Sequence, residues 1–345
     1  MSRLIKHKKV HYPVGEHLSD YLKKFGRTAE LPLTYEDLLN FNETMAVYDK
    51  DDNPTLWQTC IYPTAISESL EKSLTKIYSQ LIADGDISII EHLSVDRVDY
   101  CTFANSRPFR IRIINSFNDN YDHFYIKKAD SSRIYGLEME GLLSPNRINY
   151  LYHKSTLIEE HIIGIPGDQF IETKMKADSI NKVRLAKEFV KFNERCFVSL
   201  LGDMRSYNYI VNVTPDVEEE QYRVRPIDFD QQSFEGDIKV YLPQFFEENN
   251  EIVQLCMDLL NPKTVKQYQN EERSLIGKRF RYSYEQIMRL IKCMKSDTIS
   301  TPENTEKLKS SLAEFHKNKD FLKCKGMGDV VHENIVTLLG KFAKP

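Results

Sequence analysis

A chain of 345 residues with a formal charge of −4 is long enough for two hydrophobic cores and carries no overall cationic field, which argues against non-specific nucleic-acid binding as its main role. Hydrophobic residues at 41% and charged residues at 28% exclude wholesale disorder. The six cysteines, at 60, 101, 196, 256, 293 and 324, form no CxxC pair and no metal-ligand spacing, so buried or free thiols in a reducing compartment are expected. No apolar segment follows the basic N-terminus, and no run approaches the ~18 apolar residues of a membrane span; a cytoplasmic protein without a membrane contact is expected.

Residues 1–92 read as an N-terminal extension with structure of its own. Arg3, Lys6, His7, Lys8 and Lys9 form its one basic cluster, expected as a solvated tail. Short helices are expected over 17–25 and 35–39, the second after Thr34, an N-cap type of residue. Residues 44–49 and 55–62 flank Asp51-Asp52-Asn53-Pro54 and predict a hairpin. Apolar residues at helical spacing from Ile66 to Ile82 then predict an amphipathic helix. The extension is a possible docking surface for a protein partner.

From residue 93 the hydrophobic period changes to two. Strands are predicted over 95–101, 109–114 and 123–129, joined by polar turns, which suggests a small antiparallel sheet. A helix opens at Ser131-Ser132-Arg133 and stops at Ser144-Pro145, and further strands cover 149–152 and 156–163. Gly164-Ile165-Pro166-Gly167 breaks the pattern, and the remainder is mostly helical, with helices over 180–200, 244–260, 284–294, 305–315 and 330–342. The expected architecture is α+β: the extension, a sheet-plus-helix lobe over 93–163, and a helical lobe over 164–345.

Inside that helical lobe stands the stretch with most chemical content. Leu200-Leu201-Gly202-Asp203 is followed five residues on by Asn208, then by a β-type run, Tyr209-Ile210-Val211, and after a polar turn by Ile227-Asp228-Phe229-Asp230. Two carboxylates and a carboxamide at the ends of neighbouring strands suit a base beside a Mg²⁺ ion, because that ion takes few protein carboxylates and completes its octahedron with water and phosphate.

These residues resemble the protein-kinase-like superfamily, and within it the small-molecule phosphotransferases of the aminoglycoside and choline kinase type. Gly202-Asp203 with Asn208 is similar to the catalytic loop, Ile227-Asp228-Phe229-Asp230 to the metal loop, Phe124-Tyr125-Ile126-Lys127 to the third-strand lysine segment and Glu159-Glu160-His161-Ile162-Ile163-Gly164 to the hinge strand. The resemblance implies a two-lobed kinase-like fold and an ATP- and Mg²⁺-dependent phosphotransferase that acts on a hydroxyl of a small molecule or a protein. It implies Asp203 as the base, Arg205 as a contact to the transferring phosphate, and Asn208 and Asp228 as metal ligands, with Asp230 as a second metal or structural contact. Lys127, or its neighbour Lys128, would face the ATP phosphates, paired with Glu138 or Glu140, the former preferred because it shares a helix face with Ile134, Leu137 and Gly141. The backbone at Glu160 and Ile162 would meet the adenine, and Ser106 or Arg107 would cover the phosphates.

Leu201 stands where the family's usual histidine precedes Gly-Asp, and residues 102–107 contain no glycine-rich loop. These two departures motivate an alternative: a pseudokinase or nucleotide-binding interaction module without phosphoryl transfer. Transfer of a nucleotidyl group is a third reading.

Overall fold

The computed structural model describes residues 5, 9–82, 91–104, 106–177, 180–217 and 220–342. Arg3, Lys6, His7 and Lys8 of the basic cluster lie outside the described residues, as do Asn105 of the 102–107 connection and Glu218 and Glu219 of the polar turn before Ile227. The chain divides into two units: Ser19–Asp130 with Ile148–His161, and Met1–Leu18 with Ser131–Arg147 and Ile162–Pro345. The first is built on an antiparallel sheet and the second is mainly helical, the α+β organisation that the kinase-like resemblance implies.

After helix α1 (Glu16–Lys24), the sheet unit contains strands β1 (Glu43–Tyr48) and β2 (Pro54–Ile61), helix α2 (Thr64–Ile82), and strands β3 (Leu93–Cys101), β4 (Phe109–Asn115), β5 (Asn120–Lys128), β6 (Tyr150–His153) and β7 (Thr156–Glu160). They form one seven-stranded sheet in the order β1-β2-β3-β4-β5-β7-β6. The extension is thus not a separate body: its hairpin continues the sheet, with Trp57, Gln58 and Thr59 opposite Cys101, Tyr100 and Asp99. Its amphipathic helix joins the sheet's core. Residues 35–39, expected as a helix capped by Thr34, hold only a short 3-10 turn over Asp37–Leu39, and the cap runs the other way, since Thr34 donates to Asp37 Oδ2 through both its N–H (2.7 Å) and its hydroxyl (2.8 Å).

Alternation, interrupted by register shifts at 95–97 and 46–48, gives this sheet two unlike faces. On one, Phe109, Ile111, Ile113, Phe124, Ile126 and Ile158 pack with Leu74, Ile77 and Leu81 of α2. On the other lie charged and aromatic side chains: the Arg110 guanidinium stacks 4.4 Å from the Trp57 ring, and buried Asp99 accepts from Thr59 Oγ1 at 2.8 Å and pairs with Arg110 at 2.7 Å and Arg97 at 3.1 Å. A fully desolvated carboxylate is tolerated because those partners satisfy it.

The helical unit begins with α3 (Ser131–Leu143), expected to belong with the sheet but grouped with the helices. Every residue from Ser131 to Glu140 is buried, so α3 has no solvent face and facial periodicity does not sort its polar residues. There follow β8 (Ile165–Pro166), α4 (Gly167–Glu172), α5 (Lys182–Ser199), β9 (Tyr209–Pro215), β10 (Glu220–Pro226), α6 (Asn250–Leu259), α7 (Pro262–Tyr282), α8 (Tyr284–Ser296), α9 (Pro302–His316) and α10 (Met327–Leu339). Strands β8, β9 and β10 make a small antiparallel sheet in the order β10-β9-β8.

Two expectations here need correction. The helix expected over 244–260 begins only at Asn250, because Pro243 and the short turns over Ile238–Tyr241, Pro243–Phe245 and Glu247–Asn249 precede it. Helix α7, 21 residues long, was not expected. Its apolar positions are too sparse to show a period, and its start is marked instead by Asn261, whose Oδ1 accepts from the Thr264 N–H at 2.9 Å, with Pro262 in the first turn.

Helix α3 comes close to the 227–230 loop at Gly136, where an added Cβ would stand 2.8 Å from Phe229 Cβ and 2.9 Å from its Cδ1. Gly136→Val is therefore expected to destabilise the protein by about 2 kcal/mol through overpacking. A lowered chemical-denaturation midpoint with an unchanged slope checks this, and an unchanged midpoint contradicts it.

Candidate active site

The 200–212 stretch is positioned by the end of α5. That helix starts at Asn181, whose Oδ1 accepts from the Arg184 N–H at 3.0 Å, and stops at Leu200, which adopts the left-handed conformation (φ +53°) that commonly ends helices. Leu201 then bridges to Gln232, which draws the 227–232 segment alongside. Gly202 is required by this close approach, since a Cβ there would meet Val240 Cγ1 at 2.9 Å and the Gln231 carbonyl at 3.0 Å.

Asp203 is itself left-handed (φ +62°), a conformation that aspartate tolerates better than most residues, and its N–H donates to the Val240 carbonyl at 3.1 Å. Its carbonyl accepts from the Arg205 N–H at 2.9 Å and from Asn208 Nδ2 at 2.7 Å. Asn208 in turn accepts the Ile227 N–H on its carbonyl at 3.0 Å. Asp203, Asn208 and the 227–230 turn are therefore joined by a continuous chain of hydrogen bonds within one unit.

Arg205 points back onto Asp203. Its Nε donates to Asp203 Oδ1 at 2.8 Å, and its Nη1 donates to Tyr207 Oη at 3.0 Å and lies 3.5 Å from Glu248 Oε1. The guanidinium also sits 5.4 Å from the Phe246 ring. Burial pushes the Asp203 carboxyl up from its ordinary 3.8 to about 7; Arg205 opposes the rise and the charge of Asp228 adds to it. A carboxyl poised there is suited to taking a proton near neutral pH.

At Asp228 and Asp230 the structure adds a residue that sequence reasoning passed over. Arg133, from the first turn of α3 and 1% exposed, donates through Nη1 to Asp228 Oδ1 and to Asp230 Oδ1, both at 2.9 Å, and Nη2 reaches the Ile227 carbonyl at 3.3 Å. Asp228 Oδ1 accepts the Asp230 N–H as well, at 3.0 Å. The two carboxylates expected to hold Mg²⁺ thus already share a cation. Among the described residues no group of three or more histidine, cysteine, aspartate or glutamate side chains is arranged to hold a metal ion. This donor set does not fit a divalent ion while Arg133 stays in place.

In the sheet unit Lys127 is buried and Lys128 exposed, which separates the two lysines. Lys127 Nζ donates to Glu159 Oε2 at 2.8 Å. Glu159 is its diagonal cross-strand neighbour, because Lys127 lies opposite Leu157 and Tyr125 opposite Glu159. Sequence reasoning looked for the lysine's partner on the following helix and did not consider this strand. The side chain of Glu160 is taken up by Asn149, whose N–H and Nδ2 both donate to it at 2.9 Å. Ser106 lies in the β3–β4 connection, next to Arg107, whose carbonyl accepts the Tyr35 hydroxyl at 2.9 Å.

In the helical unit Glu138 is fully buried, with Gln286 Nε2 3.5 Å from its Oε2, whereas Glu140 accepts from Asn146 Nδ2 at 2.8 Å. Ile162, half-buried, is the first residue of the helical unit after β7.

No family model matches the chain, and no curated protein matches it. Among solved structures it is similar to the Neurospora crassa PAN3 pseudokinase, at 10% identity over 81% of this chain and 71% of that one, with a TM-score of 0.20. A superposition with that score assigns neither a family nor an activity.

The raised Asp203 carboxyl has a consequence for stability. The folded state holds this proton more tightly than the unfolded chain, so the contribution favours folding at low pH and is lost as pH rises from about 4 through about 7. Asp203→Asn removes it. Unfolding free energies from denaturant titrations across that range should fall in the wild type relative to Asp203→Asn by up to ~1.4 kcal/mol per pH unit, and parallel curves would contradict the burial of this carboxyl.

Proposed function

We propose that the protein is a phosphotransferase of kinase-like type that moves a phosphoryl group to a hydroxyl acceptor, with ATP as donor. The observation that carries this reading is the hydrogen-bonded chain from Asp203 through Asn208 to the 227–230 turn, with a carboxyl poised near neutrality at its head. In this reading Asp203 Oδ accepts the acceptor's hydroxyl proton as the oxygen attacks. Arg205 holds the Asp203 carboxylate in one orientation and supplies positive charge near the developing phosphate charge. Asn208 fixes the loop backbone; Lys127, whose carboxylate partner is Glu159 rather than Glu138, and Ser106 are proposed contacts for the nucleotide phosphates, and the backbone of Glu160 and Ile162 proposed adenine contacts. Asp228 and Asp230 are held by Arg133 and take no metal ion in this reading.

The Arg133 clamp also favours a second reading, a nucleotide-binding module without transfer, since a turn neutralised from within lacks the ion that kinases use to polarise phosphate. Two measurements on the same preparation separate these readings: nucleotide-dependent thermal stabilisation, and release of ADP in the presence of a panel of hydroxyl acceptors. For the phosphotransferase, Asp203→Asn is expected to lower turnover by about 10²–10⁴-fold while the thermal shift with ATP is retained. Stabilisation by ATP with no ADP from either protein selects the binding module. Equal turnover in wild type and variant removes Asp203 from its proposed role.

The rate should also carry an acid limb. Because Asp203 must be ionised to accept a proton, turnover is expected to fall about tenfold per pH unit below about 7. Arg205 holds that carboxyl down, so Arg205→Met should move the limb to higher pH. A limb that stays in place shows that another group titrates.

A further inference from the structure

At the 227–230 turn an arginine of α3, Arg133, stands where a metal ion is expected. Arg133 makes three hydrogen bonds to this turn, and its guanidinium carbon lies 6.0 Å from the Phe229 ring between the two aspartates. One helical turn on, Gly136 packs against that same ring. Helix α3, buried along Ser131–Glu140, fixes the arginine's backbone. The guanidinium therefore has a defined seat rather than a flexible surface contact. Its charge is shared by Asp228, whose side chain is 36% exposed, and Asp230, at 10%.

Mg²⁺ requires oxygen ligands at about 2.0–2.1 Å in near-octahedral order. An ion approaching Asp228 Oδ1 or Asp230 Oδ1 would meet the Arg133 N–H that already occupies each of those oxygens, and Asp228 Oδ1 is further held by the Asp230 N–H. Both the hydrogen-bond geometry and the like charge of the guanidinium oppose it.

We propose that Arg133 is the resident counter-ion of Asp228 and Asp230, and that it excludes divalent cations from this pair in the folded protein. The carboxylates are a latent cation site that opens only when the arginine's charge is removed. This inference rests on the clamp alone and stands whether or not the protein transfers phosphate.

The test uses Mn²⁺ as the probe, followed by electron paramagnetic resonance on the full chain without nucleotide. The wild type is expected to bind no stoichiometric Mn²⁺, and Arg133→Met, which keeps the side chain's bulk but not its charge, to bind one ion at least about tenfold more tightly. That ion should be lost again in the double variant Arg133→Met/Asp228→Asn. One Mn²⁺ bound by the wild type and lost in Asp228→Asn would overturn the proposal, as would Arg133→Met binding Mn²⁺ no better than wild type. If Arg133→Met does not fold, the wild type and Asp228→Asn alone decide: an ion that Asp228→Asn releases overturns exclusion, and no such ion supports it. Absence of phosphoryl transfer bears on the proposed activity and leaves this result untouched.

Discussion

The carboxamide of Asn208 is the contact on which the candidate site depends. Its Nδ2 donates to the carbonyl of Asp203, five residues back, while the backbone carbonyl of the same residue accepts the Ile227 N–H. A single residue thus closes the loop after α5 and ties it to the turn after β10. Backbone groups that would otherwise need water are satisfied within the protein, and the left-handed Asp203 is held where an isolated chain would relax. A second carboxamide works below it: Asn249, fully buried, donates to the Met204 and Pro243 carbonyls at 2.9 and 2.8 Å and accepts the Tyr209 hydroxyl at 2.9 Å. The loop is braced on both sides by polar groups whose bonds are made.

Around that frame the charges are divided between two arginines. Arg205, close in sequence to Asp203, pairs with it and with Glu248; Arg133, remote in sequence, pairs with Asp228 and Asp230. Without them, carboxylates close enough for the charge of Asp228 to raise the carboxyl of Asp203 would repel one another in a partly desolvated setting. The arrangement keeps the two acidic loops together and still leaves one carboxyl, Asp203, that titrates near neutrality.

Much of this was legible in the sequence where the signal is local. Period-two alternation in 95–101, 109–114 and 123–129 corresponds to β3, β4 and β5, and the spacing of Asp203, Asn208 and Asp228 marked residues that the fold does bring together. What escaped was non-local or carried by polar residues. Nothing in residues 44–62 states that their hairpin pairs with β3, because register between distant strands is set by the shared apolar face and not by either strand alone. Arg133 marked only the opening of a helix, since the folded chain alone shows that α3 is enclosed along Ser131–Glu140. Helix α7 had capping chemistry but no apolar stripe, and capping alone is a weak signal beside periodicity. Glu159 was invisible as the partner of Lys127 for the same reason as the hairpin: a diagonal cross-strand pair has no sequence spacing.

Arg133 is not the only charge that α3 buries. A helix enclosed on all faces would ordinarily be apolar throughout, yet α3 buries Arg133, Glu138 and Glu140. Each has a partner in the helical unit: the aspartate pair for Arg133, Gln286 for Glu138 and Asn146 for Glu140. Burying one unpartnered charge is costly enough to oppose folding, so the partners of these residues are what allow α3 to be enclosed with its charges. Gly136 then sets how near α3 comes to Phe229, and that approach puts the guanidinium between Asp228 and Asp230. Burial, close packing at Gly136 and the paired charges of Arg133 thus act together to place one cation where it neutralises the acidic turn.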